Sequence, residues 1–435
     1  MMLEPEFLRR ITPERKAEIL HRSMEDVSGV LEDMRRVTLD IAGNGDQVTL
    51  EHYKKLKTDI SKQDLKVTSE ETERAYAALD PAIVKALKHA LENLERFHRA
   101  QLEREMWSIE VAPGILAGRK TTPMDIVGAY VPGGRADYPS SVLMNIVPAK
   151  IAGVKRIVAC TPPRSGMSVN PATIVAAHLA GAEALFKMGG PWAVGSMAYG
   201  TETVPKVDKI VGPGNKYVTA AKMAVFGLVD IDSPAGPSEG LILADDTARP
   251  DWVAIDFLSQ VEHDPDAAAV IITDSEELAR NTADHIEKIL ESASRKDIIK
   301  EALKHNSAIL IAGSMEEAID FTNEYAAEHL QIWTRDVWQT LMRVRHAGSI
   351  FMGPYAPIPA GDYASGTNHV LPTGRCARMF SGLSVDDFIK KPTFQYLSKQ
   401  GLKGLKDSII PLAEYEGLPM HAQTIRVRFE EDEKE

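Results

Sequence analysis

Short apolar runs alternate with helix-forming stretches through the middle of this 435-residue chain, and this alternation limits its fold more than any other feature. It begins at residues 126–131, an apolar run that ends in Pro132-Gly133-Gly134. Further strands are predicted at 156–160, 183–188 and 209–211, and helices at 140–152, 171–180, 192–199 and 215–226. Such a strand–helix–strand succession predicts a mostly parallel sheet covered by helices.

A second series of the same kind begins at the apolar run 240–244. Its predicted helices are 252–261, 275–293 and 314–325, and its further strands are 268–272 and 307–311. The segment Ser233-Pro234-Ala235-Gly236-Pro237 between the two series is too short and stiff for a flexible tether. The sequence therefore predicts an α/β fold with two Rossmann-like domains, each built on an incomplete, mostly parallel sheet.

Helical spacing dominates both ends of the chain. Residues 1–110 are predicted to be helical, with Thr12-Pro13 as a helix start, and helical spacing returns from about residue 380. The predicted division is a small N-terminal helical piece (1–25), a discontinuous first α/β domain (26–129 plus 240–380), a nucleotide-binding second α/β domain (130–239) and a small C-terminal helical piece (381–435).

Composition excludes several classes of protein. The net charge of −12, from 50 basic and 62 acidic residues, argues against nucleic acid or an anionic membrane as the main partner. The two cysteines, Cys160 and Cys376, form neither a disulfide framework nor a cysteine-based zinc motif, which predicts a reducing, cytoplasmic setting. No apolar run of about 18 residues is present, and the first residues lack the apolar segment of a signal peptide.

Three polar stretches are candidates for chemistry. Residues 361–369 hold two glycines, an Asp, an Asn and a His, so we expect neither a helix nor a central strand there. Gln260 and His263 share one face of a predicted helix end, a spacing that metal sites use. Glu328 and His329 place a carboxylate beside an imidazole, which suits general-base work. A surface turn and solvated helix ends are the alternative interpretations.

Two glycine-rich turns, residues 131–134 and 211–215, follow predicted strands and precede helices. Backbone N–H groups in such turns can approach a phosphate. The dinucleotide fingerprint G-x-G-x-x-G does not occur, so the turns permit a nucleotide without specifying one, and tight helix–strand packing explains them equally well.

Six stretches, taken together, resemble the histidinol dehydrogenase family. They are residues 128–134, 138–144, 234–239, 260–263, 328–330 and 361–373, and they follow the order of that family. The resemblance extends from about residue 20 to residue 427.

The resemblance implies oxidation of L-histidinol through the aldehyde to L-histidine, with reduction of two NAD and one zinc ion per site. It implies Gln260, His263, Asp362 and His421 as zinc ligands, with His421 contributed by the C-terminal piece of the other subunit of a homodimer. It also implies that His329 removes the alcohol proton as the hydride leaves, and that Glu328 activates water for attack on the aldehyde.

Further positions carry over in the same way. The residues implied in substrate binding are Ser238, Gln260, His263, His329, Asp362, His369, Glu416 and His421. Tyr130, Trp192 and Asn215 match positions that contact NAD. Trp192 stands where the family usually has a Gln, and an indole offers no hydrogen-bond acceptor, so NAD affinity or the preference for NAD over NADP is open.

Three alternatives remain at this point. A paralogous NAD-dependent dehydrogenase would oxidise another polar primary alcohol, such as a sulfonated propanediol. Glu416 favours histidinol, because an ammonium group needs a carboxylate whereas a sulfonate prefers Arg or Lys. A zinc hydrolase, or a zinc- and ligand-binding protein without turnover, would use the same polar residues without hydride transfer.

Overall fold

The structure is a computed structural model that describes residues 3–22, 27–56, 58, 60–133, 137–234 and 236–429. Gly134 of the first glycine turn and Ala235 of the predicted crossover lie outside the described residues. The chain divides into two compact units. Unit 1 consists of Met1–Leu102 with Met124–Phe388, and unit 2 of Glu103–Pro123 with Ile389–Glu435.

The described strands, in chain order, are β1 (Glu6–Phe7), β2 (Met106–Ala112), β3 (Ile115–Lys120), β4 (Thr122–Pro123), β5 (Ile126–Tyr130), β6 (Arg156–Thr161), β7 (Ala184–Lys187), β8 (Lys209–Val211), β9 (Asp230–Ile231), β10 (Glu239–Ala244), β11 (Ala268–Thr273), β12 (Ser307–Ile311), β13 (His329–Trp333), β14 (Ser349–Met352), β15 (Ile389–Lys390) and β16 (Thr393–Leu397).

The described α-helices are α1 (Pro13–His21), α2 (Ser28–Asn44), α3 (Asp46–Lys55), α4 (Ser69–Ala78), α5 (Pro81–Arg99), α6 (Pro139–Ala152), α7 (Pro171–Ala180), α8 (Gly190–Tyr199), α9 (Lys216–Val225), α10 (Pro250–Val261), α11 (Glu276–Ser292), α12 (Lys296–His305), α13 (Met315–Tyr325), α14 (Val337–Leu341), α15 (Ile358–Tyr363), α16 (Lys399–Tyr415) and α17 (Pro419–Arg426). Short 3-10 turns cover Leu8–Arg10, Lys62–Leu65, Ser165–Met167, Cys376–Arg378 and Val385–Phe388.

The first sheet of unit 1 joins six described strands in the order β1-β12-β11-β10-β13-β14, and all of its pairs are parallel. Its central strands are buried along their whole length, as expected for a parallel sheet with both faces covered. Strands β11 and β12 follow on one side of β10, and β13 and β14 follow on its other side. The direction in which the sheet grows therefore reverses between β10 and β13.

The second sheet of unit 1 joins β7-β6-β5-β8-β9, again with parallel pairs. Successive residues of β6 point to opposite faces, so Ile157 packs into the core formed with α6 and α7, whereas Val158 packs into the core formed with α8 and α9. The predicted α/β architecture of parallel sheets and covering helices is confirmed. Helix α2 also contacts α8 and α9, so the N-terminal helices extend this layer.

Unit 2 is antiparallel. Strands β16, β3 and β2 form one sheet and β15 pairs with β4. Helix α16 contacts β16 and α17. Residues 103–123, which the sequence-based division assigns to the first α/β domain, belong to this unit.

Three predictions of secondary structure are wrong in part. Residues 1–110 are not wholly helical, since β1 and the start of β2 lie among them, and the end of the chain contains β15 and β16 before its helices. Their partners are far away in the sequence: β16 pairs with β3, for example, so local spacing does not reveal them. Gly361–Tyr363 form the last turn of α15, because Pro359 near the start of that helix favours the helical backbone.

None of the helices in the described part of the chain combines the length and the apolar composition that a membrane span requires.

Candidate active site

Glu328 and His329 lie where α13 turns into β13. Ala326 ends the helix with a left-handed backbone (φ +52°), and His329 is the first residue of the strand. Since His329 pairs with Gly240 of β10, both side chains lie at the amino ends of two central strands. Each residue is only 6% exposed, which excludes the alternative interpretation of a solvated helix end: the two side chains form a buried carboxylate–imidazole pair.

Glu239, the first residue of β10, binds both members of the pair through its backbone. Its N–H donates to the Oε2 atom of Glu328 at 2.8 Å. Its carbonyl oxygen lies 3.2 Å from the Nδ1 atom of His329, and since a carbonyl oxygen can only accept, Nδ1 carries the proton of this hydrogen bond. The Nδ1 atom also lies 3.4 Å from Oε2 of Glu328. The ring of His329 is therefore oriented with its Nε2 atom directed away from β10.

The Nε2 atom of His329 faces Asp362 of α15, at 3.6 Å from Oδ1. Within the described part of the chain, this buried nitrogen has no hydrogen-bond partner. The carbonyl oxygen of Asp362 accepts a 2.8 Å hydrogen bond from Nδ1 of His369, and Nε2 of His369 lies 2.9 Å from the Oγ atom of Ser141. Both ring nitrogens of His369 are thus engaged inside the protein, while His329 keeps one nitrogen available.

His329 and Asp362 each shift the pKa of the other. Burial disfavours its protonated form, but the carboxylates of Glu328 and Asp362 outweigh burial and raise the pKa of His329 to about 10. For Asp362, burial is likewise outweighed, and His329 lowers the pKa of that carboxyl, with smaller effects from His369 and His263. A bound cation would compete with the His329 proton for the negative charge of Asp362.

Gln260, in the last turn of α10, is 2% exposed and packs against Gly240, where an added Cβ would come within 2.8 Å of its Cγ atom. Among the residues that the structure describes, neither its amide oxygen nor its amide nitrogen has a hydrogen-bond partner. Leaving such groups unpaired costs about 1–3 kcal/mol each. The amide is therefore suited to a ligand that supplies the missing interaction.

His263 is not on the same helix as Gln260, contrary to the sequence-based prediction. Helix α10 ends at Val261, and His263 follows in an exposed turn before Pro265. The helix ends four residues before Pro265, which has no N–H to donate to the carbonyl of Val261 and whose ring would clash with that carbonyl in a continued helix. His263 nevertheless lies near enough to Asp362 to act on the pKa of that residue.

Gln260, His263 and Asp362 carry donor atoms of the kinds that zinc accepts. They offer nitrogen and oxygen atoms without a thiolate, and the unpaired Gln260 amide is the observation that indicates a ligand at this point. Among the described residues, no three His, Cys, Asp or Glu side chains form a cluster able to hold a metal. Ser238, half-buried, directly precedes Glu239 at the start of β10.

The residues predicted to bind NAD lie in the second sheet and in the helices that cover it. Tyr130 ends β5, and its hydroxyl accepts a hydrogen bond from the N–H of Gly190 at 3.2 Å. Asn215 caps α9, where its side-chain oxygen accepts from the N–H groups of Tyr217 and Val218. The chain order of this sheet reverses between β5 and β8, and ligands of parallel sheets bind at the carboxyl ends of such a pair.

Trp192, on α8, stacks on the imidazole of His52 from α3, with ring centroids 3.4 Å apart and planes inclined by 20°. Both residues are half-buried. One face of the indole is therefore covered by the protein itself, and burial, with a smaller effect of Lys55, lowers the pKa of His52. No local pattern in the sequence indicates this pairing.

Glu416 and His421 lie in unit 2. Glu416 caps the C-terminal end of α16, and His421 lies in α17. Both side chains are exposed. Gly417, which follows α16, has a φ of +74°, a backbone conformation that ends the helix and favours glycine.

Two residues beside the acid/base pair were missed by the sequence reasoning: Arg22 and Glu239. Their buried side chains form an ion pair next to Glu328. Glu239 belongs to a stretch that carried the family resemblance, but nothing in the sequence connects it to Arg22, 217 residues away.

Comparisons with known proteins agree with one another. The sequence model of the histidinol dehydrogenase family matches residues 20–429. A histidinol dehydrogenase of Methanothermobacter thermautotrophicus is 48% identical over 414 residues, which cover 95% of this chain and 97% of the relative. One of Methanocaldococcus jannaschii is also 48% identical and covers 97% of each chain. The crystal structure of histidinol dehydrogenase from Elizabethkingia anophelis matches with a TM-score of 0.92 at 38% identity, covering 99% of this chain and 98% of that one.

Proposed function

The chain belongs to the histidinol dehydrogenase family, and from that premise we propose that it oxidises L-histidinol through L-histidinaldehyde to L-histidine while reducing two NAD. It is an NAD-dependent oxidoreductase of histidine biosynthesis. The observation that carries the proposal is the buried Glu328–His329 pair, whose Nε2 nitrogen is oriented by Glu239 and left without a partner among the described residues. A proton acceptor for an alcohol needs this orientation.

His329 accepts the proton of the substrate hydroxyl at Nε2 as the hydride leaves for NAD. The hydrogen bond from Nδ1 to the Glu239 carbonyl prevents the ring from turning during this transfer. Gln260, His263, Asp362 and the partner subunit's His421 would hold zinc, which supplies a fixed positive charge that anchors the substrate and neutralises Asp362. In the metal-free chain, the carboxylates of Glu328 and Asp362 raise the pKa of His329, and a positive charge held at Asp362 would oppose that effect.

Glu328 serves the second half of the reaction. Its carboxylate accepts a proton from the water that attacks the aldehyde carbon, and the second hydride then leaves for NAD from the resulting diol. The N–H of Glu239 holds one carboxylate oxygen at 2.8 Å and so fixes the direction in which Glu328 acts. Ser238, next to Glu239 in the chain, and His369, which donates to the carbonyl oxygen of Asp362, are proposed to contact the substrate.

We assign NAD to the carboxyl ends of β5 and β8, with Tyr130, Trp192 and Asn215 as its contacts. The support is the reversal of strand order at this point, together with the turn at Gly212, which has a φ of +119°. A Cβ there would collide with the backbone of Tyr130, so the turn needs glycine.

We also propose that the enzyme is cytoplasmic. The low cysteine count supports this location.

Glu416 and His421 act, in this proposal, in the site of a second subunit, where Glu416 holds the substrate ammonium. The support is their exposure in unit 2, alongside the exposed apolar side chains Leu412, Tyr415 and Met420. Exposed apolar residues in such number are typical of a surface that another protein covers. A homodimer with shared sites accounts for both observations.

Mixed dimers test the shared site. Chains carrying His421→Ala and chains carrying Glu328→Gln are each expected to be inactive alone. When the two are mixed at equal amounts and allowed to exchange, shared sites predict recovery of about one quarter of the wild-type specific activity, since half of the dimers then hold one intact site. No recovery in exchanged dimers would contradict sharing.

Initial rates of NADH formation test the substrate. L-histidinol is compared with a sulfonated propanediol and with simple primary alcohols, with and without a chelator. We expect turnover of L-histidinol alone, lost on chelation and restored by zinc. Turnover of a different alcohol instead would assign the chain to a paralogous reaction.

A further inference from the structure

Arg22, at the C-terminal end of α1, is a buried cation far in sequence from the site. Its side chain is 1% exposed, and it forms an ion pair with Glu239, which is 3% exposed. Its Nη1 atom donates to the carbonyl oxygen of Tyr325 at 3.0 Å, and its guanidinium lies 3.8 Å from the centroid of the Tyr325 ring. Arg22 therefore joins the start of β10 to the end of α13, the two segments that lead into the acid/base pair.

Glu239 links the buried guanidinium of Arg22 to Glu328 and His329. Its side chain accepts hydrogen bonds from Arg22 and from the N–H of Gly374. Its backbone N–H holds Glu328, and its carbonyl oxygen holds His329. A shift of Glu239 would therefore displace the hydrogen-bond partners of both reacting residues at once.

We propose that Arg22 and Glu239 are positioning residues, which hold Glu328 and His329 in the orientation that proton transfer requires. The inference rests on the proposed function, because it concerns the same pair. A displacement of 1 Å can slow an enzyme about 10²-fold, so a rigid support is needed. Stability alone does not explain the ion pair, since apolar residues of similar volume often replace buried pairs without loss. The backbone of Arg22, with a φ of +38°, is also strained, as segments held for function often are.

The test compares Arg22→Met and Arg22→Lys with Lys16→Met. Lys16 is a matched control, because it also joins α1 to α13 through a 2.6 Å ion pair with Glu324 but does not contact Glu239. We expect Arg22→Met to lower kcat for L-histidinol by about 10²-fold with KM changed by less than about threefold. Lysine should restore only part of this loss, since an ammonium group cannot stack on Tyr325 and bind two oxygens as a guanidinium does.

Glu239→Gln keeps the shape of the side chain and serves if Arg22→Met does not fold. It weakens the attraction to Arg22 and leaves all backbone bonds possible, so we expect kcat to fall by about tenfold. Folded Arg22→Met or Glu239→Gln protein with wild-type kcat would overturn the proposal. An equal loss of kcat in Lys16→Met would overturn it too, because the effect would then come from anchoring α1.

Nuclear magnetic resonance of ¹⁵N-histidine-labelled protein separates this inference from the proposed function. The ring signals of His329 are identified by their absence in His329→Gln. In the protein without substrate, Arg22→Met should shift the Nδ1 signal of His329, whereas Lys16→Met should not. This readout holds even if the wild-type chain fails to oxidise L-histidinol. An unchanged Nδ1 signal in Arg22→Met would overturn the positioning role.

Discussion

The Nε2 atom of His329 lies 3.6 Å from the Oδ1 atom of Asp362, and this approach couples the proposed acid/base residue to a residue of the proposed zinc site. The opposite edge of the same imidazole is held by the carbonyl oxygen of Glu239. One ring thus lies between a fixed backbone group and a carboxylate whose charge a metal would change. The chemistry of the site depends on keeping this geometry.

Glu328→Gln separates the two halves of the reaction. Glutamine still accepts the hydrogen bond from Glu239, but it cannot take a proton from water. We expect the oxidation of L-histidinaldehyde to slow by about 10²–10⁴-fold and the first hydride transfer by less than about tenfold. Single-turnover NADH formation from the alcohol and from the aldehyde measures both. Glu324→Gln, near the end of the preceding helix α13, is the control. Equal loss in both halves would contradict the role of Glu328.

Gln260→Leu should make the metal-free protein more stable while abolishing zinc binding. The buried amide of Gln260 is unpaired among the described residues, so its replacement by an apolar side chain removes a cost of about 1–3 kcal/mol in the free energy of unfolding. Urea unfolding in chelator and zinc analysis measure the two effects.

The matched control is Gln331→Leu. Gln331 is equally buried, but its amide nitrogen donates to Asp256 at 2.5 Å. Its amide oxygen is unpaired among the described residues, but removal of the amide group also leaves the half-buried carboxyl of Asp256 without this donor, so we expect a net destabilisation of about 1 kcal/mol with zinc retained. A stability loss in Gln260→Leu as large as in the control would contradict the ligand role of Gln260.

Trp192→Gln restores the residue usual in the family and removes the stack on His52. We expect the free energy of unfolding to fall by about 0.5–1.5 kcal/mol. We also expect KM for NAD to fall by about two- to tenfold, because an amide supplies the hydrogen bond that an indole lacks. Trp338→Gln, at a side chain that is 70% exposed, is the control for stability. An unchanged KM for NAD would contradict the assignment of Trp192 to the NAD site.

Glu202→Gln should affect stability in a manner that depends on pH. The N–H of Asp46, with Lys62 and its own backbone, lowers the pKa of Glu202 to about 2. A lowered pKa in the folded state contributes stability that is fully present above the unfolded value, about 4.3, and is lost as pH falls toward 2. The variant should therefore be less stable than wild type at pH 7 and approach it at pH 2–3 in urea titrations. A constant difference would contradict the lowered pKa.

Much of the α/β framework was predictable because the buried strands are short apolar runs and the covering helices have helical spacing, and both patterns are local in the sequence. The predicted helices 140–152 and 171–180, for example, match α6 and α7. Strands β2 and β16 were not predictable, since they are largely exposed and their stability comes from pairing with β3 rather than from local pattern. Gly361–Tyr363 are helical because Pro359, in the first turn of α15, favours the helical backbone and the helix continues into the glycine-rich stretch.

The same distinction holds for the site. Residues in recognisable stretches, such as Glu328, His329 and Asp362, were found from the sequence, and the structure brings them together. Arg22 carries no local signal, since an arginine at a helix end is usually solvated and its partner Glu239 lies 217 residues away. A contact of that kind depends on the tertiary fold, and only the folded chain reveals it.

The amount of NADH formed per molecule of limiting L-histidinol tests the central claim most directly. With excess NAD and zinc, the absorbance at the end of the reaction counts the hydrides transferred. Two NADH per L-histidinol, with L-histidine as the product, is the result that a Glu328–His329 site acting on alcohol and aldehyde predicts. One NADH per L-histidinol with the aldehyde as the final product, or none, would contradict it.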